Sequence, residues 1–402
     1  MSDADSDFVP STDPWWKQWD PNNITVAPTE DDDDYDGPSD SWKYCVIQGV
    51  YFGGNDYNGW LGARISSIFV ILFVSTACTL FPVVSKRVKW LKVHKYVYQF
   101  ARNFGTGVIV ATAYIHLLDP AYTEIGGLSC VGSNGNWSTY AWCPAIILFT
   151  VMLTFLVDVT SSFYVERKYG YVHNHRSDEI EDAIVGNAKP VHDAEHHTGA
   201  HMHESDEGDS YSKDKQQLGD TKSLQTYTES DVDSVKAEMS FKGEFAAFLI
   251  LEFGILFHSV MIGLNLGTTG DEFKVLYPVL VFHQSFEGLG IGARLSMIEF
   301  PRNKRWWPYV LCIAYGLTTP VCVAIGLGVR EKYSGNSYAV NVVSGVLDAI
   351  SAGVLMYTGL VELLARDYIF NPNRTKSIKE MLFSLWCMFW GAGLMALLGK
   401  WA

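Results

Sequence analysis

Two short stretches carry residue types that hydrocarbon should exclude: His258-Ser259-Val260-Met261-Ile262-Gly263 and His283-Gln284-Ser285-Phe286-Glu287-Gly288. Each lies inside a run apolar enough to cross a bilayer. An ionisable side chain there costs roughly 2.5–3.5 kcal/mol on insertion scales, so its presence asks for a function. His283 and Glu287 are four apart and stack on one helical face. His258 lies about 20 Å along its helix from one membrane face, and the His283–Glu287 pair lies ~10–17 Å from the other. Two antiparallel helices then bring three donors to similar depth. Imidazole nitrogen and carboxylate oxygen are ligands for zinc, and also serve iron and manganese. Gly263 and Gly267, and Gly288, Gly290 and Gly292, allow the backbones around them to pack closely.

These donors need a membrane scaffold, and hydropathy supplies one. Eight apolar blocks of roughly 20 residues fall at 61–84, 97–119, 142–165, 244–266, 276–297, 306–328, 338–364 and 380–400. The organisation expected is an acidic, mostly disordered leader (1–58), helices 1–3 (59–165), a long polar loop (166–243) and helices 4–8 (244–402). Lys86, Arg87, Lys89, Lys92 and Lys95 crowd the first loop, Arg302, Lys304 and Arg305 the fifth, and Arg366, Arg374, Lys376 and Lys379 the seventh. Basic loops stay cytoplasmic, which puts both termini outside. Other polar residues fall along the spans. His116 and Asp119 at the outer end of span 2 suit an entrance, and Glu252 and Glu362 suit an exit. Asp158 and Asp348 lie inside spans 3 and 7, and Arg64 and Arg102 are expected near interfaces or paired with acids.

The net charge of −14 is uneven. Residues 1–60 hold 13 acids against Lys17 and Lys43, and residues 166–243 hold 17 acids against 9 bases, which leaves the remainder about +5. With no concentrated basic domain, nucleic-acid binding is excluded. The N-terminus lacks the basic region and apolar core of a cleavable signal peptide. The 166–243 loop contains His192, His196, His197, His201 and His203 within twelve residues, interleaved with Asp193 and Glu195. That composition binds zinc-like ions loosely, as a cytosolic buffer or sensor. Asn23 and Asn136 head glycosylation sequons on the outer side, whereas Asn373 faces the cytosol. Cys130 and Cys143 bracket one outer loop and are candidates for a disulfide, with Cys45 as a competing partner.

These motifs are where a resemblance enters. The chain resembles the ZIP family of divalent-metal transporters, in its plant and fungal plasma-membrane branch. The matching residues are His258-Ser259-x-x-Ile262-Gly263-x-x-x-Gly267, His283-Gln284-x-Phe286-Glu287-Gly288, Leu317-Thr-Thr-Pro320 and the C-terminal run from Gly391 to Ala402. The resemblance implies an all-α membrane protein of eight transmembrane helices, with helices 1–3 and 6–8 as inverted repeats around helices 4 and 5. It implies uptake of Zn²⁺ into the cytosol by alternating access. By motif position His258, His283 and Glu287 are the metal ligands, with Ser259 and Gln284 beside them as further metal candidates. Ser259, Gln284 and Ile262 stand where many members build a second metal site, so a single-ion site is expected. Fe²⁺, Mn²⁺ and Cd²⁺ are alternative substrates, and a metal-sensing receptor that moves nothing is an alternative function. With no HExxH or repeated histidine box, the chain is not read as an enzyme. A homodimer, and ubiquitin-dependent turnover through lysines of the His-rich loop, complete the expected partners.

Overall fold

The computed structural model describes residues 39–51, 57–88, 93–169, 229–331, 335–371 and 377–401. Every element among them is helical. The chain divides into two compact units, Met1–Ser161 with Ser240–Ala402, and Ser162–Met239. The first unit holds the site. In chain order the helices are α1 (Asp40–Ile47), α2 (Leu61–Arg87), α3 (Lys95–Ala111), α4 (Asp119–Ile125), α5 (Trp142–Tyr169), α6 (Glu229–Thr268), α7 (Phe273–Met297), α8 (Trp307–Val329), α9 (Tyr338–Tyr357) and α10 (Ile378–Leu398). A π-helical segment, Thr112–Leu118, joins α3 to α4, and a second, Thr358–Ile369, extends α9.

Six of these stretches are long and apolar enough to cross a membrane: Leu61–Arg87, Trp142–Tyr164, Phe241–Thr268, Arg302–Val329, Tyr338–Ile369 and Ile378–Leu398. The two further spans expected from the sequence correspond to α3 and α7. Both are rich in buried polar side chains: Asn103 and Thr106 on α3, and His283, Gln284 and Glu287 on α7. A helix screened by its neighbours can carry such groups, whereas one facing lipid cannot. The outward faces of the bundle are apolar. Leu148, Phe149, Met152, Leu153, Phe155 and Leu156 on α5 are all exposed, an arrangement suited to hydrocarbon and unsuited to water.

Small residues set the helix crossings. A Cβ at Gly105 on α3 would fall on the backbone of Gly290 on α7, and a Cβ at Gly292 would fall on Thr79 of α2. Gly263 and Gly267 seat α6 against α8 at Cys322 and Leu327. Glycine is therefore required for the approach of α7 to its two neighbours. Arg64 is wholly buried, and among the described residues it forms no ion pair with an acid. Its guanidinium donates to the carbonyls of Leu266 (3.1 Å), Gly267 (3.3 Å) and Thr269, and stacks over Phe273. It so satisfies the orphan C-terminal carbonyls of α6 and locks α2 to the α6–α7 turn.

Of the two pairings expected, the disulfide is the one that engages the competing partner Cys45 and not the Cys130–Cys143 bridge within the outer loop. Cys45 bridges Cys130, and Cys143 is a free, buried thiol. The reason lies in α1, an ordered piece inside the leader. Gln48 donates to Thr123 O (2.6 Å) and accepts from Cys130 N (2.7 Å), docking α1 on the 123–134 segment and bringing Cys45 onto Cys130. Cys143 is instead drawn into the apolar core at the start of α5. Asn136 is exposed in the short 3₁₀ turn Gly135–Trp137. Asn23 and the five clustered histidines from His192 to His203 lie outside the described residues.

Candidate metal site

His258 on α6 and His283 on α7 are both buried, with exposures of 2% and 1%, and their Nε2 atoms lie 3.4 Å apart. Two nitrogens bound at about 2.0–2.1 Å to one tetrahedral zinc stand about 3.3 Å apart, so this separation is that of two ligands on a shared ion. Glu287 Oε2 is 3.9 Å from His283 Nε2, one helical turn below it. Among the described residues no three His, Cys, Asp or Glu side chains converge into a ready-made metal cage. The pair is preformed and the carboxylate stands back. A site that must release its ion needs that looseness, whereas structural zinc is held by four closed ligands.

A third imidazole completes the group. His116, in the first π-helical segment, stacks edge-on against His283 with ring centroids 4.8 Å apart and lies 6.5 Å from the His258 ring. Its Nε2 is 2.9 Å from Met395 O. A carbonyl only accepts, so the proton sits on Nε2 and Nδ1 keeps a lone pair. The π segment is what turns this residue inward: an extra residue in the turn re-registers the helix at a functional position. The sequence suggests an entrance role for His116, and the structure sets it beside the histidine pair.

Beneath the histidines, Tyr315 on α8 lies 3.1 Å from both Gln284 Oε1 and Glu287 Oε2. Its single hydroxyl proton serves one of them at a time. Ser259 Oγ, Glu287 Oε1, Gln284 Nε2 and Glu252 Oε2 are buried without hydrogen-bond partners. Unpaired buried polar atoms are costly. Their concentration here marks a place arranged for a polar or charged guest.

A cavity of about 850 Å³ leads to this group. Its mouth lies among residues 268–272 and 335–336, its wall includes Asp119, Glu124, Asn265 and Asp348, and it reaches His116, His258 and His283. Glu252, Asp158 and Glu362 do not line it. Asp158 accepts from Tyr357 OH (2.9 Å), tying α5 to α9, and Glu362 pairs with Arg366 at 2.6 Å. At the bundle end away from the mouth, Asp367 binds two guanidiniums, Arg102 at 2.7 Å and Arg294 at 2.9 Å, and so ties α3, α7 and the second π segment together. Arg294 also donates to Thr106.

Sequence reasoning passes over Tyr315 and Glu124. Tyrosine in an apolar span is unremarkable by composition, and Glu124 lies beyond the expected end of span 2. Its neighbourhood is nonetheless enclosed: burial pushes the Glu124 carboxyl up to about 7.

Known proteins resemble the chain along most of its length. The ZIP zinc transporter family model matches residues 61–399. The chain belongs to this family. It is 61% identical to zinc-regulated transporter 1 of Saccharomyces cerevisiae over 394 residues, covering 97% of this chain and 99% of that protein. Zinc-regulated transporter 1 of Schizosaccharomyces pombe is 39% identical, covering 87% of this chain and 88% of that protein. Zinc-regulated transporter 2 of S. cerevisiae is 32% identical, with 87% and 96% covered. The family match takes in α2 through α10 and so includes every residue of the site. This ZIP chain is a multi-pass membrane transporter and not an enzyme.

Proposed function

We propose that the chain takes up Zn²⁺ from outside the cell into the cytosol through a single intramembrane site made by His258, His283 and Glu287, flanked by Ser259 and Gln284. The carrying observation is the 3.4 Å separation of two imidazole nitrogens at the inner end of a cavity open to one face. The ion enters past Asp119, meets His116, and exchanges water for the two imidazoles. Glu287 then swings the remaining distance to close on it, released from Tyr315. Departure runs towards Glu252 and the Arg102–Asp367–Arg294 clamp, which must open as the mouth closes. Ligands must be deprotonated to bind metal, so uptake weakens in acid.

The arrangement of paired breaks supports alternating access by inverted repeats of helices 1–3 and 6–8 around α6 and α7. The second helix of each triplet carries the π-helical segment, and the first helix of each carries an interior proline, Pro82 in α2 and Pro320 in α8. Such defects supply hinges where a helix must bend. Both termini outside, a plasma-membrane location, glycosylation at Asn23 and Asn136, and a cytosolic His-rich loop that buffers or reports metal complete the reading. A homodimer and ubiquitin-dependent turnover at that loop belong to it as well.

Proteoliposomes holding the purified chain test transport against sensing. Accumulation of radiolabelled zinc above protein-free vesicles is expected, and a chain that binds zinc without accumulating it would be a receptor instead.

A further inference from the structure

Between the cavity mouth and the histidines lie two carboxylates that this uptake path does not use. Glu124 on α4 and Asp348 on α9 both line the cavity. Asp348 is 5% exposed, and its Oδ1 has no hydrogen-bond partner. Glu124 Oε1 accepts from Ser344 Oγ at 2.6 Å, but its Oε2 is equally unpartnered. Ser344 and Asp348 are one helical turn apart and share a face of α9. Between them Gly345 lets α4 approach closely, since a Cβ there would meet Ile125 Cγ2 and then the Cβ of Glu124. Two carboxyl oxygens without hydrogen-bond partners, Glu124 Oε2 and Asp348 Oδ1, therefore belong to residues of one cavity wall. Asn341, one turn earlier on α9, adds an amide to the same wall.

Two buried carboxyl groups held close together, each with an unused oxygen, cannot both stay ionised unless a cation lies between them; without one, burial leaves Glu124 partly protonated. Serine donation answers one of the four oxygens. We propose that Glu124 and Asp348, with Asn341 as a neutral donor, form an outer station that binds a partly hydrated divalent cation before it reaches the histidines. This rests on the cavity being the ion's route. The donor chemistry gives the two stations different tasks. An all-oxygen set suits hard, water-retaining cations and discriminates weakly among Mn²⁺, Ca²⁺ and Zn²⁺, whereas imidazole favours zinc. Capture is then unselective and fast, and selection follows at the imidazoles as the ion loses its water. A pair of charges at the wall of a narrow cavity raises local cation concentration by about tenfold or more.

The direct test uses Mn²⁺ as probe, read by the loss of its free-ion electron paramagnetic resonance signal. The full-length His258→Ala/His283→Ala protein in nanodiscs is compared with the same protein carrying Glu124→Gln/Asp348→Asn. The carboxylate changes should remove one weak Mn²⁺ equivalent. Identical binding curves would overturn the proposal. In the otherwise unaltered transporter, Glu124→Gln/Asp348→Asn should raise KM for zinc uptake about tenfold, with Vmax within twofold. An unchanged KM would also overturn it. Should the double variant not fold, Asp348→Asn alone keeps the Ser344–Glu124 bond and should raise KM about threefold. Uptake that survives loss of both histidines would sink the inner site alone, because the Mn²⁺ comparison does not depend on it.

Discussion

Asp367→Asn is expected to close the cavity mouth. In this conformer Asp367 is the only acid paired with both Arg102 and Arg294 among the described residues, at 2.7 and 2.9 Å, and its side chain is 17% exposed. Hydrogen bonds between charged partners contribute about 1.5–3 kcal/mol each where solvent is largely excluded. An asparagine retains one acceptor, so the loss is about 2 kcal/mol, or about 30-fold in an equilibrium. The contacts tie α3, α7 and the second π segment at the end away from the mouth. On the proposed gate the clamp opens as the mouth closes, so its loss penalises the mouth-open state and not its alternative, and only such a difference shifts populations. Asn265 lines the cavity and is exposed, so a cysteine placed there reports the open state. In intact cells a membrane-impermeant maleimide should label Asn265→Cys readily, and Asp367→Asn should slow that labelling, by up to about 30-fold where the mouth-open state is the minority. Unchanged labelling together with a lowered melting temperature would refute the gate and leave the clamp a purely structural tie.

Two further outcomes follow from the packing. Cys45→Ser should cost about 2–5 kcal/mol of thermal stability, measured by the melting curve of the detergent-solubilised protein, whereas Cys143→Ser should leave the outer-loop bridge intact on non-reducing peptide mapping. Gly290→Ala places a methyl on Gly105 and should cost about 1–3 kcal/mol by the same melting assay, with Gly393→Ala, which meets open space, as the neutral control.

The metal ligands are legible in the sequence because hydrocarbon makes polar residues conspicuous. His258, His283 and Glu287 stand out in apolar runs, and helical spacing alone aligns the last two. Their mutual approach needs only two antiparallel neighbours. What the sequence hides depends on contacts between distant segments. The Cys45–Cys130 bridge spans 85 residues and is chosen by Gln48, whose partners no local pattern announces. The π segment that turns His116 inward leaves no mark in hydrophobic periodicity, so a residue suited to an entrance stands beside His283. Arg64, expected near an interface or beside an acid, lies in the first turn of α2 and there caps the end of α6, because backbone carbonyls are acceptors that composition does not reveal. Glu124 falls past the apparent end of its span, although the chain continues helical to Ile125.

The central claim is that the imidazole pair and Glu287 bind the transported ion. Initial rates of radiolabelled zinc uptake by proteoliposomes, with matched protein content and the His-rich loop intact, test it most directly. His258→Ala/His283→Ala and Glu287→Gln should each reduce uptake to the level of protein-free vesicles while the protein remains folded by melting curve. Normal uptake by the double histidine variant would contradict the account.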